Sequence, residues 1–222
     1  MSFNIAIDGP AGAGKSTVAR GAAKELGFVY VDTGAMYRTI ALKLIREGVS
    51  PEDEDQVEKV LENTEISMGY QDGVQCMFLD GDDVSDEIRT PKVSQMASVT
   101  AAQPLVRAFL LDLQRDLAKK QDVLMDGRDI GSTILPDAQL KIYLTASSRE
   151  RARRRHLELK TKGEDCDIDS IQKEIEERDW RDMHRESSPL VQAKDAVYLD
   201  TSDMTQEEVV REIVRLAKER MS

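Results

Sequence analysis

The chain has 222 residues, a formal net charge of −11, 33% charged residues and only 5% aromatic residues. This length accommodates one α/β domain with an insertion, or two small domains, around a sizeable core. The acidic balance argues against a nucleic-acid polymer or an anionic membrane surface as the main partner.

Five short apolar runs predict buried parallel strands. They cover residues 3–7, 28–32, 123–127, 140–146 and 196–200. Helical patterns separate these runs, which is typical of βαβ units. The sequence therefore predicts an α/β fold in which helices flank a five-stranded parallel sheet.

Amphipathic patterns predict six helices. They cover residues 15–26, 35–47, 104–120, 147–161, 168–185 and 205–220. Gly27 and Gly48 follow the first two as C-terminal caps. Thr205 and Glu208 have the spacing of a capping box at the last helix. The acidic residues 51–58 indicate a further helix start, with carboxylates near its positive end.

Residues 64–84 interrupt the alternation of strands and helices. Three strand-like stretches follow one another here, joined by "QDG" and "DG", which are both hairpin signals. We expect a small antiparallel sheet inserted into the α/β chain.

The residues "GPAGAGKS" at 9–16 fit the pattern G-x-x-x-x-G-K-[ST]. The pattern follows a predicted strand and opens a predicted helix, as a phosphate-binding loop must, although a plain glycine-rich turn is the alternative. The backbone N–H groups of such a loop point at a phosphate, Lys15 reaches the β and γ oxygens, and Ser16 can ligate Mg²⁺. The predicted ATP-binding residues are Gly9, Pro10, Ala11, Gly12, Ala13, Gly14, Lys15, Ser16 and Thr17.

Asp126 ends the predicted strand at 123–127. A carboxylate at this end of a strand beside a phosphate-binding loop is the usual partner of the Mg²⁺ shell. A turn cap is the alternative interpretation.

Arginine is concentrated in one part of this acidic chain. Eight of the 18 arginines lie between Arg149 and Arg185. Such a concentration indicates that these arginines bind a small polyanion, because the geometry of a guanidinium group matches that of phosphate oxygens. Solvated helix faces carrying surface ion pairs are the alternative.

Further arginines follow predicted strands or share helix faces. "DTGAMYR" (32–38) supplies Arg38, and "DGRDIGS" (126–132) supplies Arg128 and Asp129, at the sheet edge where doubly wound folds bind ligands. Two sets have helical spacing: Arg178, Arg181, Asp182 and Arg185, and Arg151, Arg154 and Arg155. We expect two phosphate-bearing substrates, with a lid that carries the second set over the triphosphate.

Six blocks in chain order resemble the bacterial cytidylate kinases, a family of nucleoside monophosphate kinases. They are "IDGPAGAGKST", "DTGAMYR", "SDEIRT", "DGRDIG", "PDAQLKIYLTASSRERARRR" and "ERDWRD". The resemblance covers nearly the whole chain, and residues 64–84 are similar to the family's enlarged monophosphate-binding region. Thr33 stands where many relatives carry serine, and both residues supply a hydroxyl.

The resemblance implies transfer of a phosphoryl group from ATP to CMP or dCMP, with Mg²⁺. It implies that Thr33, Arg38, Arg128 and Arg185 hold the acceptor phosphate or the ribose end. It implies that Ser98, Arg107 and Asp129 read cytosine, and that Arg178 and Asp182 serve the ribose hydroxyls. The residues expected to act on the transferred group are Lys15, Asp126, Arg128 and Arg154, with Ser16 on the metal.

The resemblance also implies one kinase domain. Its core comprises residues 1–33, 100–147 and 185–222, its monophosphate-binding region 34–99 and its helical lid 148–184. We expect a cytoplasmic protein, since the sequence has no signal peptide or membrane-spanning run, and Cys76 and Cys166 have the pattern of ordinary thiols. We also expect a monomer.

Two other functions have similar sequence features. Another phosphate-loop kinase, acting on shikimate or dephospho-coenzyme A, also has lid arginines, but the β insertion and the paired arginines favour a nucleotide acceptor. A nucleotide-dependent switch needs a base-recognition motif of the "NKxD" type, which the sequence lacks.

Overall fold

The computed structural model describes residues 2–161, 163 and 166–221. The strands are β1 (Asn4–Asp8), β2 (Val29–Asp32), β3 (Ile66–Gln71), β4 (Val74–Leu79), β5 (Asp82–Asp83), β6 (Val123–Gly127), β7 (Leu140–Thr145) and β8 (Val197–Asp200). The helices are α1 (Lys15–Leu26), α2 (Thr33–Glu47), α3 (Glu54–Glu62), α4 (Pro91–Thr100), α5 (Pro104–Lys120), α6 (Ser148–Thr161), α7 (Ile168–His184) and α8 (Gln206–Met221).

The main sheet has the strand order β2-β6-β1-β7-β8. Its strands are parallel, so their carboxyl ends meet at one edge; Asp8 is in register with Gly127, and Thr145 with Asp200. The predicted five-stranded parallel sheet is confirmed. Loops that leave this edge carry the phosphate-binding pattern and the "DGRDIG" segment.

The main sheet buries side chains on both faces. Ile5 and Ile7 of β1 belong to a core shared with α1 and α8, while Ala6 between them points to the opposite face and is also fully buried. Burial on both sides explains why the strands are continuous apolar runs in the sequence. A two-sided core of this kind holds the strand ends in fixed positions.

The chain divides into two compact units. One comprises Met1–Tyr30 with Gln121–Ser222 and holds the main sheet; the other is Val31–Lys120. In the second unit, α2 packs against α4, α5 and β4, and α3 packs against α5. The predicted insertion is confirmed as the antiparallel sheet β3-β4-β5.

The structure adds a helix that the sequence patterns do not predict. Helix α4 begins after Thr90, whose side chain accepts from the N–H of Val93, and it has proline at its first position. Its buried residues are Val93, Ala97 and Thr100. With so few buried positions, its apolar period is too weak to detect.

Several helix ends differ by one or two residues from the predicted bounds; α6 begins at Ser148 rather than residue 147, and α8 spans Gln206–Met221 rather than 205–220. Helix α2 begins at Thr33 rather than residue 35, because the Asp32 carboxylate accepts from the N–H of Ala35 and caps it. Helix α7 ends at His184, and Arg185 is already extended, with ψ 143°.

None of the helices in the described ranges is both long and apolar enough to cross a membrane.

Candidate functional site

The loop between β1 and α1 has backbone geometry that requires glycine. Gly9 has φ +154°, and a Cβ placed on it would lie 1.9 Å from the carbonyl oxygen of Leu144 in β7. Gly14 adopts a left-handed conformation, with φ 84°, directly before α1. The loop therefore passes close to β7 and turns sharply into the helix, as the sequence pattern requires.

Lys15 is folded against the carbonyl groups of its own loop. Its Nζ atom donates to the carbonyl oxygens of Gly9 and Pro10, each at 2.8 Å, and the residue is buried. Burial, and to a smaller extent the nearby charge of Arg128, lowers the pKa of Lys15 to about 7. The ammonium is thus held at the centre of the loop in an environment that disfavours its charge.

Ser16 and Asp126 lie side by side at the edge of the sheet. Ser16 Oγ donates to Asp126 Oδ2 at 2.9 Å, and the hydroxyl of Tyr30 donates to Asp126 Oδ1 at 2.8 Å. A hydroxyl and a carboxylate next to a phosphate-binding loop are the hard oxygen ligands that Mg²⁺ prefers. The donor set therefore fits a magnesium ion.

Asp8 joins the phosphate-binding loop to the "DGRDIG" segment. Its two carboxylate oxygens accept from the backbone N–H groups of Ile130 and Gly131, at 2.7 and 2.8 Å. Burial raises the pKa of Asp8 to about 6, although the two N–H donors oppose that rise. Asp8 is not among the predicted site residues, because its only signal in the sequence is an acidic residue at the end of an apolar strand.

Two ion pairs connect the "DGRDIG" segment to the end of α7. Arg128 Nε donates to Asp182 Oδ2 at 2.8 Å, and Arg185 Nη2 donates to Asp129 Oδ1 at 3.2 Å. All four side chains are largely buried, and those of Asp129 and Arg185 are 4% and 9% exposed. Four of the predicted acceptor-binding residues are therefore together, joined as two charge pairs.

Burial alone would raise the pKa of Asp182. The charges of Arg128, Arg178 and Arg185 and the hydrogen bond from Arg128 outweigh burial and hold the pKa below its usual value. In contrast to Asp182, which is buried, Arg181 is exposed to solvent. The predicted set at 178–185 is thus divided between a buried cluster and one surface arginine.

The arginines of α6 have three different environments. Arg151 is buried and donates to the carbonyl of Ala11 in the phosphate-binding loop at 2.8 Å. Arg154 is half-buried and donates to the carbonyl of Thr201 at 2.6 Å. Arg155 pairs with Glu158 at the surface. Helical spacing predicted that these residues share one face, whereas they differ in burial and in their partners.

In the unit Val31–Lys120, Arg38 is held beside the start of α2. Its Nη2 atom lies 3.0 Å from Asp32 Oδ2. Gln75 of β4 clamps the backbone of Asp32, accepting from its N–H at 2.7 Å and donating to its carbonyl at 3.3 Å. The β insertion thereby fixes the residue that orients Arg38. Gln75 was missed, because a polar residue within a strand has no distinguishing signal.

The other predicted residues of this unit lie on three helices. Thr33 is buried at the first position of α2, and Ser98 is half-buried on α4. Arg107 of α5 donates to the carbonyl of Ala101 at 3.1 Å and lies over the ring of Tyr37, 5.6 Å from its centroid. Arg107 is therefore fixed in place by a helix end and an aromatic face.

Comparison with known proteins gives one consistent family. The family model described as cytidylate kinase matches residues 5–219. The chain belongs to the cytidylate kinase family. The cytidylate kinase of Caldanaerobacter subterraneus is 52% identical over 96% of this chain and 93% of its own length. That of Caldicellulosiruptor bescii is 48% identical over 96% of this chain and 95% of its own length.

Solved structures agree with the fold. An uncharacterized protein from Eubacterium ventriosum superposes with a TM-score of 0.52 at 12% sequence identity, covering 99% of both chains. At an identity this low, the superposition supports the architecture of the chain and nothing beyond it.

Proposed function

We propose that the protein transfers the γ-phosphoryl group of ATP to CMP or dCMP, giving ADP and CDP or dCDP. The observation that carries this proposal is the family match over residues 5–219. The buried charge pairs Arg128–Asp182 and Arg185–Asp129 support it, because they bring together residues proposed to bind the acceptor phosphate and to read the base.

ATP is the phosphoryl donor, bound by the loop and the first turn of α1. The binding residues are Gly9, Pro10, Ala11, Gly12, Ala13, Gly14, Lys15, Ser16 and Thr17. Ser16 would hold Mg²⁺ directly, and Asp126 would hold the shell around it. When bound, the metal ion neutralises charge on the phosphate oxygens.

The residues proposed to bind the acceptor have three roles. Thr33, Arg38, Arg128 and Arg185 bind its phosphate or ribose end; Arg178 and Asp182 bind the ribose hydroxyls; Ser98, Arg107 and Asp129 read the base. Cytosine offers one amino donor and two acceptors, so a carboxylate and an arginine together satisfy it. Uracil would place a carbonyl against the carboxylate.

Catalysis requires positioning and charge neutralisation rather than a general base. A monophosphate oxygen is already ionised at neutral pH and can attack the γ-phosphorus in line. Lys15, Arg128 and Arg154 stabilise charge on the transferred group, and Asp126 would help to hold the metal ion. Arg154 must leave the Thr201 carbonyl to take this role.

We propose that the core of the kinase domain comprises residues 1–33, 100–147 and 185–222. Residues 34–99 bind the monophosphate, and residues 148–184 form the lid. We also propose that the protein is a cytoplasmic monomer. Slower hydrogen exchange in 148–161 and 168–184 with both nucleotides bound would support the lid, and unchanged exchange would remove it.

The test of the activity is ADP release with a panel of monophosphates at fixed ATP and Mg²⁺. Stimulation by CMP and dCMP, well above that by UMP, AMP and GMP, is the expected result. Equal stimulation by UMP would contradict the proposed selectivity for cytosine. No stimulation by any monophosphate would favour another acceptor, such as shikimate or dephospho-coenzyme A, or a nucleotide-binding protein without transfer activity.

A further inference from the structure

Arg151 is surrounded by acceptors from three parts of the chain. Its Nη1 atom donates to the carbonyl of Ala11 at 2.8 Å and its Nε atom to the carbonyl of Ala146 at 2.9 Å. Its Nη2 atom lies 2.6 Å from Asp179 Oδ2, and its side chain is only 6% exposed. Each guanidinium nitrogen therefore already has an acceptor.

We infer that Arg151 is a positioning residue for the phosphate-binding loop, rather than a lid arginine that contacts the triphosphate. It fixes the peptide between Ala11 and Gly12 and ties that peptide to α7. These contacts engage three of the five N–H groups of the guanidinium, and the side chain is only 6% exposed, so little of it can reach a phosphate without breaking them.

Peptide planarity gives this contact its effect on the ligand. The carbonyl of Ala11 and the N–H of Gly12 share one peptide plane and point in opposite directions. When Arg151 holds the carbonyl on the side of α6, the N–H is fixed on the other side. Gly12 is exposed, with φ +72°. Its N–H is then preset to donate to a nucleotide phosphate.

The same guanidinium connects the loop to α7. Asp179 is buried, and its Oδ1 atom has no hydrogen-bond partner among the described residues, so the contact with Arg151 is the main compensation for its charge. Asp179 lies one helical turn before Asp182, which pairs with Arg128. Arg151 therefore links the donor loop to the helix that carries part of the proposed acceptor site.

This inference rests on the proposed function, and binding measurements separate the two. We would compare Arg151→Met with Arg153→Met, a matched change on the same helix at a 55% exposed arginine that pairs only with Glu150 among the described residues. Calorimetry would measure the Kd of ATP and of CMP, and assays would measure the KM of each. The amide signal of Gly12 would be followed by NMR.

We expect Arg151→Met to raise the Kd and KM of ATP at least tenfold and to shift the Gly12 amide signal, with the Kd of CMP changed less than threefold. Arg153→Met should resemble the wild type in every measurement. An ATP affinity and a Gly12 signal unchanged by Arg151→Met would overturn the inference. A wild type that binds ATP but does not phosphorylate CMP would overturn the proposed function instead.

Arg151→Met leaves the Asp179 carboxylate buried without its cation, so the variant could fail to fold. Arg151→Lys is the second test, because it keeps the charge beside Asp179, but its single nitrogen cannot reach three acceptors that are spread around a planar guanidinium. The same selective loss of ATP affinity is expected from it. Full ATP affinity in a folded Arg151→Lys variant would overturn the inference.

Discussion

The Nε atom of Arg128 lies 2.8 Å from Oδ2 of Asp182, and both side chains are largely buried. The proposed acceptor site thus holds its own cation in a charge-assisted hydrogen bond. The arginine is oriented before any phosphate arrives, and part of its desolvation has already occurred. An acceptor phosphate has to join or displace the carboxylate rather than capture a free side chain.

Removing this carboxylate should destabilise the fold at neutral pH. Asp182→Ala leaves Arg128 without its partner, and we expect a loss of about 3 kcal/mol in the free energy of unfolding, measured in urea at pH 7. The folded-state pKa of Asp182 is lowered, so its contribution exists above its unfolded pKa and disappears as pH falls through the folded value. The loss should therefore shrink in acid. Asp116→Ala, which removes an exposed pair with Lys119, is the control and should leave stability unchanged.

Lys15 should matter to turnover far more than to folding. Lys15→Met removes the ammonium that is proposed to neutralise charge between the β and γ phosphates, and kcat should fall by at least about 100-fold. The Met side chain is apolar and of similar length, and it replaces a buried charge, so the thermal midpoint should not drop by more than about 3 °C. A variant with nearly wild-type kcat would exclude Lys15 from the mechanism.

The same residue should take up a proton when ATP binds. Burial lowers the pKa of Lys15 to about 7, so at pH 8 it is mostly neutral in the free protein. Phosphate charge favours the ammonium, and binding should take up roughly 0.5–1 proton at pH 8. Calorimetry in buffers of different ionisation enthalpy measures this number. The uptake should vanish in Lys15→Met; an uptake that persists there would assign the proton to another group.

Gly9 should tolerate no side chain. A Cβ would lie 1.9 Å from the carbonyl oxygen of Leu144, so Gly9→Ala must displace the loop or β7. We expect a loss of about 2 kcal/mol or more in stability, together with loss of ATP binding. Gly27→Ala is the matched control: its φ is +73°, but a Cβ there meets nothing within 4 Å. The control should lose only about 1 kcal/mol and keep its ATP affinity.

The elements that the sequence predicted are those with strong local signals. The sheet strands are continuous apolar runs because both faces are buried, and the phosphate-binding loop has a fixed glycine and lysine spacing. Helix α4 was missed because few of its positions are buried. These outcomes depend on local periodicity, which a sequence displays directly.

The partners of polar groups could not be predicted in the same way. Arg151, Arg154 and Arg155 have similar spacing signals, yet their acceptors are Ala11, Thr201 and Glu158. Two of these acceptors are backbone carbonyls far away in the sequence. Every residue has a carbonyl, so the sequence does not show which one accepts the hydrogen bond. Asp8 and Gln75 were missed for the same reason, since each binds backbone groups of a distant segment.

The last prediction concerns the base, and it depends on Asp129. An ionised carboxylate only accepts hydrogen bonds, so it suits the amino group of cytosine and opposes the carbonyl of uracil. Asp129→Asn adds an amide donor that can serve that carbonyl, and the amide can still accept from cytosine by turning over. We expect the ratio of kcat/KM for CMP to that for UMP to fall about tenfold, which corresponds to 1.4 kcal/mol.

The buried pair with Arg185 complicates this change, because Asp129→Asn also weakens the hold on an arginine proposed to bind phosphate. That effect should lower kcat/KM for CMP and UMP together and leave their ratio unchanged. Asp182→Asn is the matched control, since it weakens the ion pair with Arg128 in the same way, at a residue that is not proposed to read the base. A ratio that falls in Asp129→Asn but not in Asp182→Asn assigns base reading to Asp129. If both variants keep the wild-type ratio, Asp129 serves only to orient Arg185, and the selection of cytosine passes to Ser98 and Arg107.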